Sequence, residues 1–238
     1  MQAFHHEQEY ARGYATTGFA PAIMTIPGRP FTGQRTYTEW RGDGSSDQPV
    51  VTTTVKIARD SDGRIHYESS RSRGEVDVTI TDPVTHLHYR YWIKRRPEAH
   101  PEAEQCREEL MSALTNRSAV DVARGSVVLA AYEPRQQYPQ LKDQKDDLGT
   151  QDFGGVLAYG QRTQHVVSNQ FGMKQMIVEQ WFAPDLGLNM MEAHDIEGQN
   201  TYRTETHDLD YSEPDAALFA VPANYALPAK IYGCHERH

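Results

Sequence analysis

LGTQDFGGVLAYGQRT (148–163), IVEQWFAPDLGLNMMEAHD (177–195), NTYRTETHDLDY (200–211) and SEPDAALFAVPANY (212–225) are the stretches on which the fold turns. Gly154-Gly155 reads as a tight turn between strands at Thr150–Phe153 and Val156–Arg162. Met176–Phe182 and Leu188–His194 are expected to pair through the short connection Ala183–Gly187. Glu197–Asn200 then leads into a strand over Thr201–Tyr211. Ser212–Phe219 reads as a short helix with Pro214 near its start, where the missing N–H costs nothing. Pro222 stops it.

Working outward, the N-terminal half carries the same period. Gln34–Arg41 has the β-branched and aromatic content of a strand. Val50–Arg59 puts Val51, Thr53, Val55 and Ile57 on one face. Asp60-Ser61-Asp62-Gly63 is a turn to a return strand at Arg64–Ser70. A calcium loop beginning at Asp60 would need Glu at its twelfth position, which holds Arg71. Val76–Ile80 and His86–Lys94 are the next two strands, separated at Asp82-Pro83. Glu102–Asn116 shows a helical stripe of Cys106, Leu110, Ala113 and Leu114, so a helix is expected to cover the sheet. Val127–Tyr132 reads as strand or helix, and residues 133–147 as a polar, Pro-broken surface loop.

The predicted fold class is α+β, mainly β: a curved antiparallel meander sheet, an incomplete barrel, covered by a helix. The expected organisation is an irregular arm over 1–31 and a single β-rich domain over 32–228. A helical or loop insertion falls at about 97–147, and a tail at 229–238.

Composition narrows the function. The chain has 238 residues, 38% hydrophobic, with a formal charge of −9, a balance that disfavours nucleic-acid partners. Lys94-Arg95-Arg96 is too short a basic run to reverse it. No apolar run is long enough for a membrane-spanning helix. The N-terminus lacks the pattern of a signal peptide, so the expectation is either a cytoplasmic protein or a signal already removed. The two cysteines, Cys106 and Cys234, read equally as one long-loop disulfide or as two buried thiols.

Catalytic patterns are missing: no GxSxG, no HExxH and no glycine-rich phosphate cradle followed by lysine occurs. No cofactor is expected. His86 and His88 share a predicted strand face with spacing acceptable for metal ligation. Zinc needs three or four ligands, and His66 or His100 could join only if the fold brought them near. Exposed strand histidines are the plainer reading. Asp208 and Asp210, two apart on one strand, read as solvated carboxylates. Aromatic and methionine residues are more suggestive. Trp40, Trp92, Trp181, Phe182 and Met190 are the candidate ligand-binding side chains for an apolar cavity, with ordinary sheet core as the alternative.

Five motifs carry a resemblance. They are Arg59-Asp60-Ser61-Asp62-Gly63-Arg64, Ile80-Thr81-Asp82-Pro83-Val84, Leu148-Gly149-Thr150-Gln151, Trp181-Phe182-Ala183-Pro184-Asp185-Leu186 and Glu213–Tyr225. In these the chain resembles a family of secreted or periplasmic proteins common in acidobacteria, over about residues 30–96 and 148–226. The segment 97–147 departs from that pattern. The wider strand layout resembles the lipoprotein-carrier superfamily, whose half-barrel holds acyl chains against a helical lid. The resemblance implies a periplasmic or secreted, non-enzymatic carrier for a lipid or other apolar small molecule. The competing expectations are an envelope module that binds a protein partner, and a metal-dependent enzyme using His86 and His88.

Overall fold

The computed structural model describes residues 23–40, 48–70, 74–94, 101–107, 144–169, 172–196, 201–229 and 231–233. The fold is mainly β. Its strands are β1 (Phe31–Trp40), β2 (Val51–Arg59), β3 (Ile65–Ser70), β4 (Val76–Asp82), β5 (Leu87–Ile93) and β6 (Glu104–Arg107). After these come β7 (Gln144–Asp152), β8 (Leu157–Asn169), β9 (Gly172–Ala183), β10 (Leu188–Ile196), β11 (Thr201–Asp210) and β12 (Tyr232–Gly233). They hydrogen-bond in the order β12-β6-β5-β4-β3-β2-β1-β11-β10-β9-β8-β7. This is one open antiparallel sheet of eleven strands, with β12 added parallel to β6. Apart from β1 beside β11 and β12 beside β6, spatial neighbours are sequence neighbours, as expected of a meander.

The chain divides into two compact units. The first draws on residues 1–23, 36–53 and 119–207, and the second on 24–35, 54–118 and 208–238.

In the second unit the hairpins follow their turn chemistry. Asp60 Oδ1 accepts from the backbone N–H of Asp62 (3.1 Å) and Arg64 (2.9 Å), while Arg64 Nε donates to Asp60 Oδ2 at 2.6 Å. Gly63 supplies the φ of +83° that closes this turn. Both side-chain oxygens of Asp60 are thus occupied in holding the β2–β3 turn. Asp82 Oδ1 likewise caps the β4–β5 turn through Val84 N (2.8 Å) and Thr85 N (3.1 Å).

The apolar face of β3–β6 packs Val78, Ile80, Tyr91 and Ala103 against Val221 and Tyr225 of the C-terminal segment. That segment carries the only helical turn among the described residues, a 3₁₀ turn at Ala216–Phe219 capped by Asp215. The Tyr91 and Tyr225 rings lie 5.0 Å apart, and Tyr225 Oη donates to Trp92 O at 2.8 Å. Burial, and then Tyr225, push the Tyr91 hydroxyl up to about 12.

Arg59 closes the other side. It is fully buried, donates from Nε to Arg29 O (2.9 Å) and from Nη1 to Met24 O (2.7 Å), and lies 4.9 Å over the Phe31 ring. Burial, then the nearby Arg29 charge, lower its pKa to about 10. The guanidinium staples the incoming segment 24–31 by its carbonyls.

Two expectations fail here, and one open alternative is decided. The start of the expected covering helix at Glu102–Asn116 is strand: Glu104–Arg107 form β6, and residues 108–116 lie outside the described residues. Ala103 and Gln105 are buried while Glu104 is exposed, a period of two set by pairing to the open edge of β5. Helix propensity is worth tenths of a kcal/mol per residue, and a strand edge overrides it. Cys106 accordingly sits on a strand and is disulfide-bonded, which removes the free-thiol alternative for it. Finally, the polar stretch read as loop up to residue 147 already belongs to β7 from Gln144 onward. Charged residues suit β7 because it ends the sheet. Val127–Tyr132, His100 and Cys234 lie outside the described residues.

Candidate functional site

The first unit brings most of the predicted site residues together. Its scaffold is β8, β9 and β10. β8 and β9 pair with Tyr159 opposite Phe182 and Gly160 opposite Trp181. β9 and β10 pair with Phe182 opposite Asn189 and Trp181 opposite Met191, and Met190 sits in the bulge between those pairs. Trp181, Phe182 and Met190 are all buried. Trp40, in the same unit, ends β1 half-buried. Trp92 belongs to the second unit, half-buried on β5 with the Arg90 guanidinium 5.0 Å over its ring. Arg90 is itself held by a pair of bonds to Asp77, Nε to Oδ1 at 3.2 Å and Nη2 to Oδ2 at 2.8 Å.

Adjacent residues on a strand face opposite ways, so Trp181 and Phe182 do not line one surface. Trp181 lies across Gly160: a Cβ there would fall 2.6 Å from ring atom Cζ3. Phe153 packs 6.0 Å from the indole, and Trp181 Nε1 donates to Glu179 Oε1 at 2.9 Å. Burial raises the Glu179 carboxyl, but the bonds from Trp181 and from Arg162 (Nη2 to Oε2, 3.0 Å) outweigh it and hold it below its ordinary value. Trp181 is therefore a wedge fixed at one rotamer.

Phe182 shares its face with Tyr159, and Leu157 stands two residues before Tyr159 on the same side of β8. Leu157 and Tyr159 are 51% and 47% exposed, whereas Phe182 is 6% exposed. An apolar lane thus runs from solvent into the core along one sheet face. Sequence reading missed Leu157 and Tyr159. Their spacing of two in VLAYG carried the signal, but the exposure that matters is not visible in it.

Along the same face the lane meets buried polar groups. Glu192 stands opposite Gln180, and His194 opposite Val178. His194 Nε2 and Glu192 Oε1 are 2.6 Å apart, and Asn189 Nδ2 donates to Glu192 Oε2 at 3.3 Å. The His194 ring stacks on Tyr202 at 4.5 Å, which in turn lies 5.8 Å from Tyr37. Thr206 Oγ1 donates to Asn189 O at 2.7 Å.

The histidine pair does not assemble. His86 lies in the β4–β5 turn with φ of +57°, not on a strand, so it shares no strand face with His88. His88 faces Thr81, whose Oγ1 is 3.2 Å from its Nδ1. His66 stands opposite Ile80, one residue out of step with Thr81, and so projects from the other face of the sheet. Among the described residues no group of three His, Cys, Asp or Glu side chains is placed to hold a metal.

Two of the five sequence motifs, both in the second unit, gain a physical link. Ser61, in the first, gives both its backbone N–H (3.0 Å) and its hydroxyl to the Glu213 carboxylate, in the last. Arg64 also lies 5.2 Å over the Phe219 ring.

No family model matches the chain, and no curated protein matches it. Among solved structures it is similar to the lipoprotein LppX of Mycobacterium tuberculosis. Identity there is 9%, 90% of this chain and 98% of that chain are covered, and the TM-score is 0.30. It is also similar to a β-barrel-like protein of the DUF1849 group from Brucella abortus (8% identity, 79% and 100% covered, TM-score 0.35). A DUF1329 family protein from Desulfovibrio piger aligns at 11% identity over 82% and 91% of the two chains, with a TM-score of 0.23. Identities this low with TM-scores under 0.5 carry nothing over to this chain.

Proposed function

We propose that this chain is a non-enzymatic, extracytoplasmic binding protein of carrier-like type, which holds a lipid or other apolar small molecule against the β8–β9–β10 sheet. The observation that carries this reading is the lane Leu157–Tyr159–Phe182, half-exposed at its outer end and buried at its inner end. Two large apolar side chains held side by side in water are an unfavourable surface that a ligand would cover. Each Å² covered contributes about 25 cal/mol before ordering costs. Phe182 and Met190 are the proposed inner contacts, and Trp181 the rigid backing on the opposite face. The disulfide at Cys106 supports an oxidising compartment, periplasmic or secreted. The five motifs support membership of the acidobacterial family that they resemble.

Native mass spectrometry of protein purified without harsh detergent, followed by organic extraction, tests this. A stoichiometric apolar adduct is expected, weakened by Leu157→Ser with Tyr159→Ser. A clean apo mass, together with no saturable binding of a fluorescent fatty acid, would sink the reading.

A further inference from the structure

The C-terminal segment Ser212–Tyr225 lies as a strap over the apolar face of β3–β6, and one contact beneath it is unlike the others. His66 is 4% exposed, and its Nδ1 lies 2.7 Å from Leu218 O. A carbonyl only accepts, so Nδ1 carries the proton and donates. Nε2 is therefore the basic nitrogen. It is buried and makes no hydrogen bond; the nearest acid oxygen, Glu68 Oε2, is 3.8 Å away. The Phe219 ring meets the imidazole edge-on at 6.4 Å, and Arg64 covers that ring from the turn.

We propose that His66 is a proton-operated latch for the strap: the neutral ring keeps Ser212–Tyr225 seated, and protonation at Nε2 loosens it from the sheet. This inference is independent of the ligand reading above. A cation at Nε2 needs solvent or a close partner, and under the seated strap this nitrogen is buried with its nearest carboxylate oxygen at 3.8 Å, beyond hydrogen-bond distance. The charged groups around it pull in both directions. Glu68, on β3, favours the cation, but Lys56 of β2 occupies Glu68 Oε1 at 2.7 Å and disfavours it. Arg64 adds a second positive charge over Phe219. From β5, Tyr89 and Tyr91 share the face, with the Ile80 and Val78 side chains of β4 between. On the strap Glu213 is occupied by Ser61, and Asp215 by the backbone N–H of Ala217.

Burial, ahead of the opposing Leu218 and Glu68 contributions, places the imidazole pKa below its ordinary value. The sign follows. The unfolded or unstrapped chain takes up the proton at higher pH than the seated one. The stability of the seated strap is therefore complete above the ordinary imidazole value, near ~6.5, and is lost as pH falls through the lowered one. What the loosened strap uncovers is the apolar patch of Val78, Ile80, Tyr91 and Ala103.

Hydrogen exchange of the whole chain at about pH 7.5 and about pH 5, corrected for intrinsic rates, tests the latch, since those values bracket the ordinary imidazole value. Peptides over 212–226 should lose protection several-fold in acid, while peptides of β8–β10 hold theirs. His66→Asn keeps an N–H placed for Leu218 O but does not titrate, and should abolish the difference. Glu68→Gln removes the one compensating charge and should enlarge it. Strap protection that is equal at both pH values, or the same acid loss in His66→Asn, overturns the latch. Should the variants not fold, an imidazole NMR titration of the unaltered protein decides: a His66 midpoint below the ordinary value is required, and one at or above it overturns the proposal.

Discussion

Gly160→Ala is a one-methyl change whose cost can be worked from the geometry. Three atoms of the Trp181 ring, Cζ3, Cη2 and Cε3, lie 2.6, 2.7 and 2.8 Å from where the new Cβ would stand. The ring is braced by Phe153 and tied through Nε1 to Glu179, so it yields only by giving up that contact. Overpacking a filled site costs about 1–3 kcal/mol. Loss of a hydrogen bond to a charged group adds about 1.5–3 kcal/mol where it breaks outright. Against this, Ala gains about 0.5–1 kcal/mol over Gly in a strand through the unfolded state. The expected net loss is about 2 kcal/mol, or about 4–8 °C in Tm for a chain of this size. Urea unfolding followed by circular dichroism measures it, with tryptophan emission as the local probe. Gly160→Ala should shift that emission to the red, because Trp181 is buried in the starting protein. Combined with Trp181→Leu, which removes the ring, the alanine should cost nothing. An alanine variant as stable as the parent with unmoved emission would refute the wedge, and with it the rigid backing proposed for the apolar lane.

Arg59→Met keeps the stem but deprives Arg29 O and Met24 O of their donors, and should destabilise by about 1–3 kcal/mol per orphaned carbonyl. Exchange in residues 23–30 should rise first. Glu213→Gln should flatten the acid limb of the stability curve. The two bonds from Ser61, hydroxyl first, hold the Glu213 carboxyl below its ordinary value. Its contribution is therefore present above the unfolded carboxylate value, near ~4.3, and lost as pH falls through the lower folded one; an unchanged limb would remove Ser61–Glu213 as the motif link. Unreduced, denatured protein should leave Cys106 unalkylated by iodoacetamide, and a modified Cys106 would contradict its disulfide.

Most strands were legible because their determinants are local. Gly154-Gly155 takes φ of +68° and +92° between β7 and β8, and Pro184–Gly187 closes β9 to β10, as the turn residues require. The hairpin strands are longer than the apolar pattern suggested. β8 continues to Asn169 and β9 begins at Gly172, with pairing between neighbours carrying polar residues that have little strand propensity of their own. Segment 102–107 shows the opposite failure. Its helix-forming residues read one way in isolation, and the free edge of β5 drew them into β6.

For the candidate site, composition picked out Trp181, Phe182 and Met190, and β9 and β10 do bring them together. Their roles were not legible. Whether neighbours 181 and 182 serve one surface or two follows from strand parity, but which side stays open depends on what each strand packs against. Leu157 and Tyr159 look like core residues by pattern and are half in water. His86 and His88 look like a pair until the β4–β5 turn takes His86 out of the strand. The run of consecutive hairpins, most of their turns and the short C-terminal helical turn were thus written in the sequence itself, since period and turn chemistry act over a few residues, whereas β1 beside β11 and the edge strands β6 and β12 were not. The apolar lane, the clasp of Ser61 on Glu213 and the buried Nε2 of His66 were decided by the tertiary structure alone. Each joins residues distant in the chain or turns on exposure, which a local pattern does not encode.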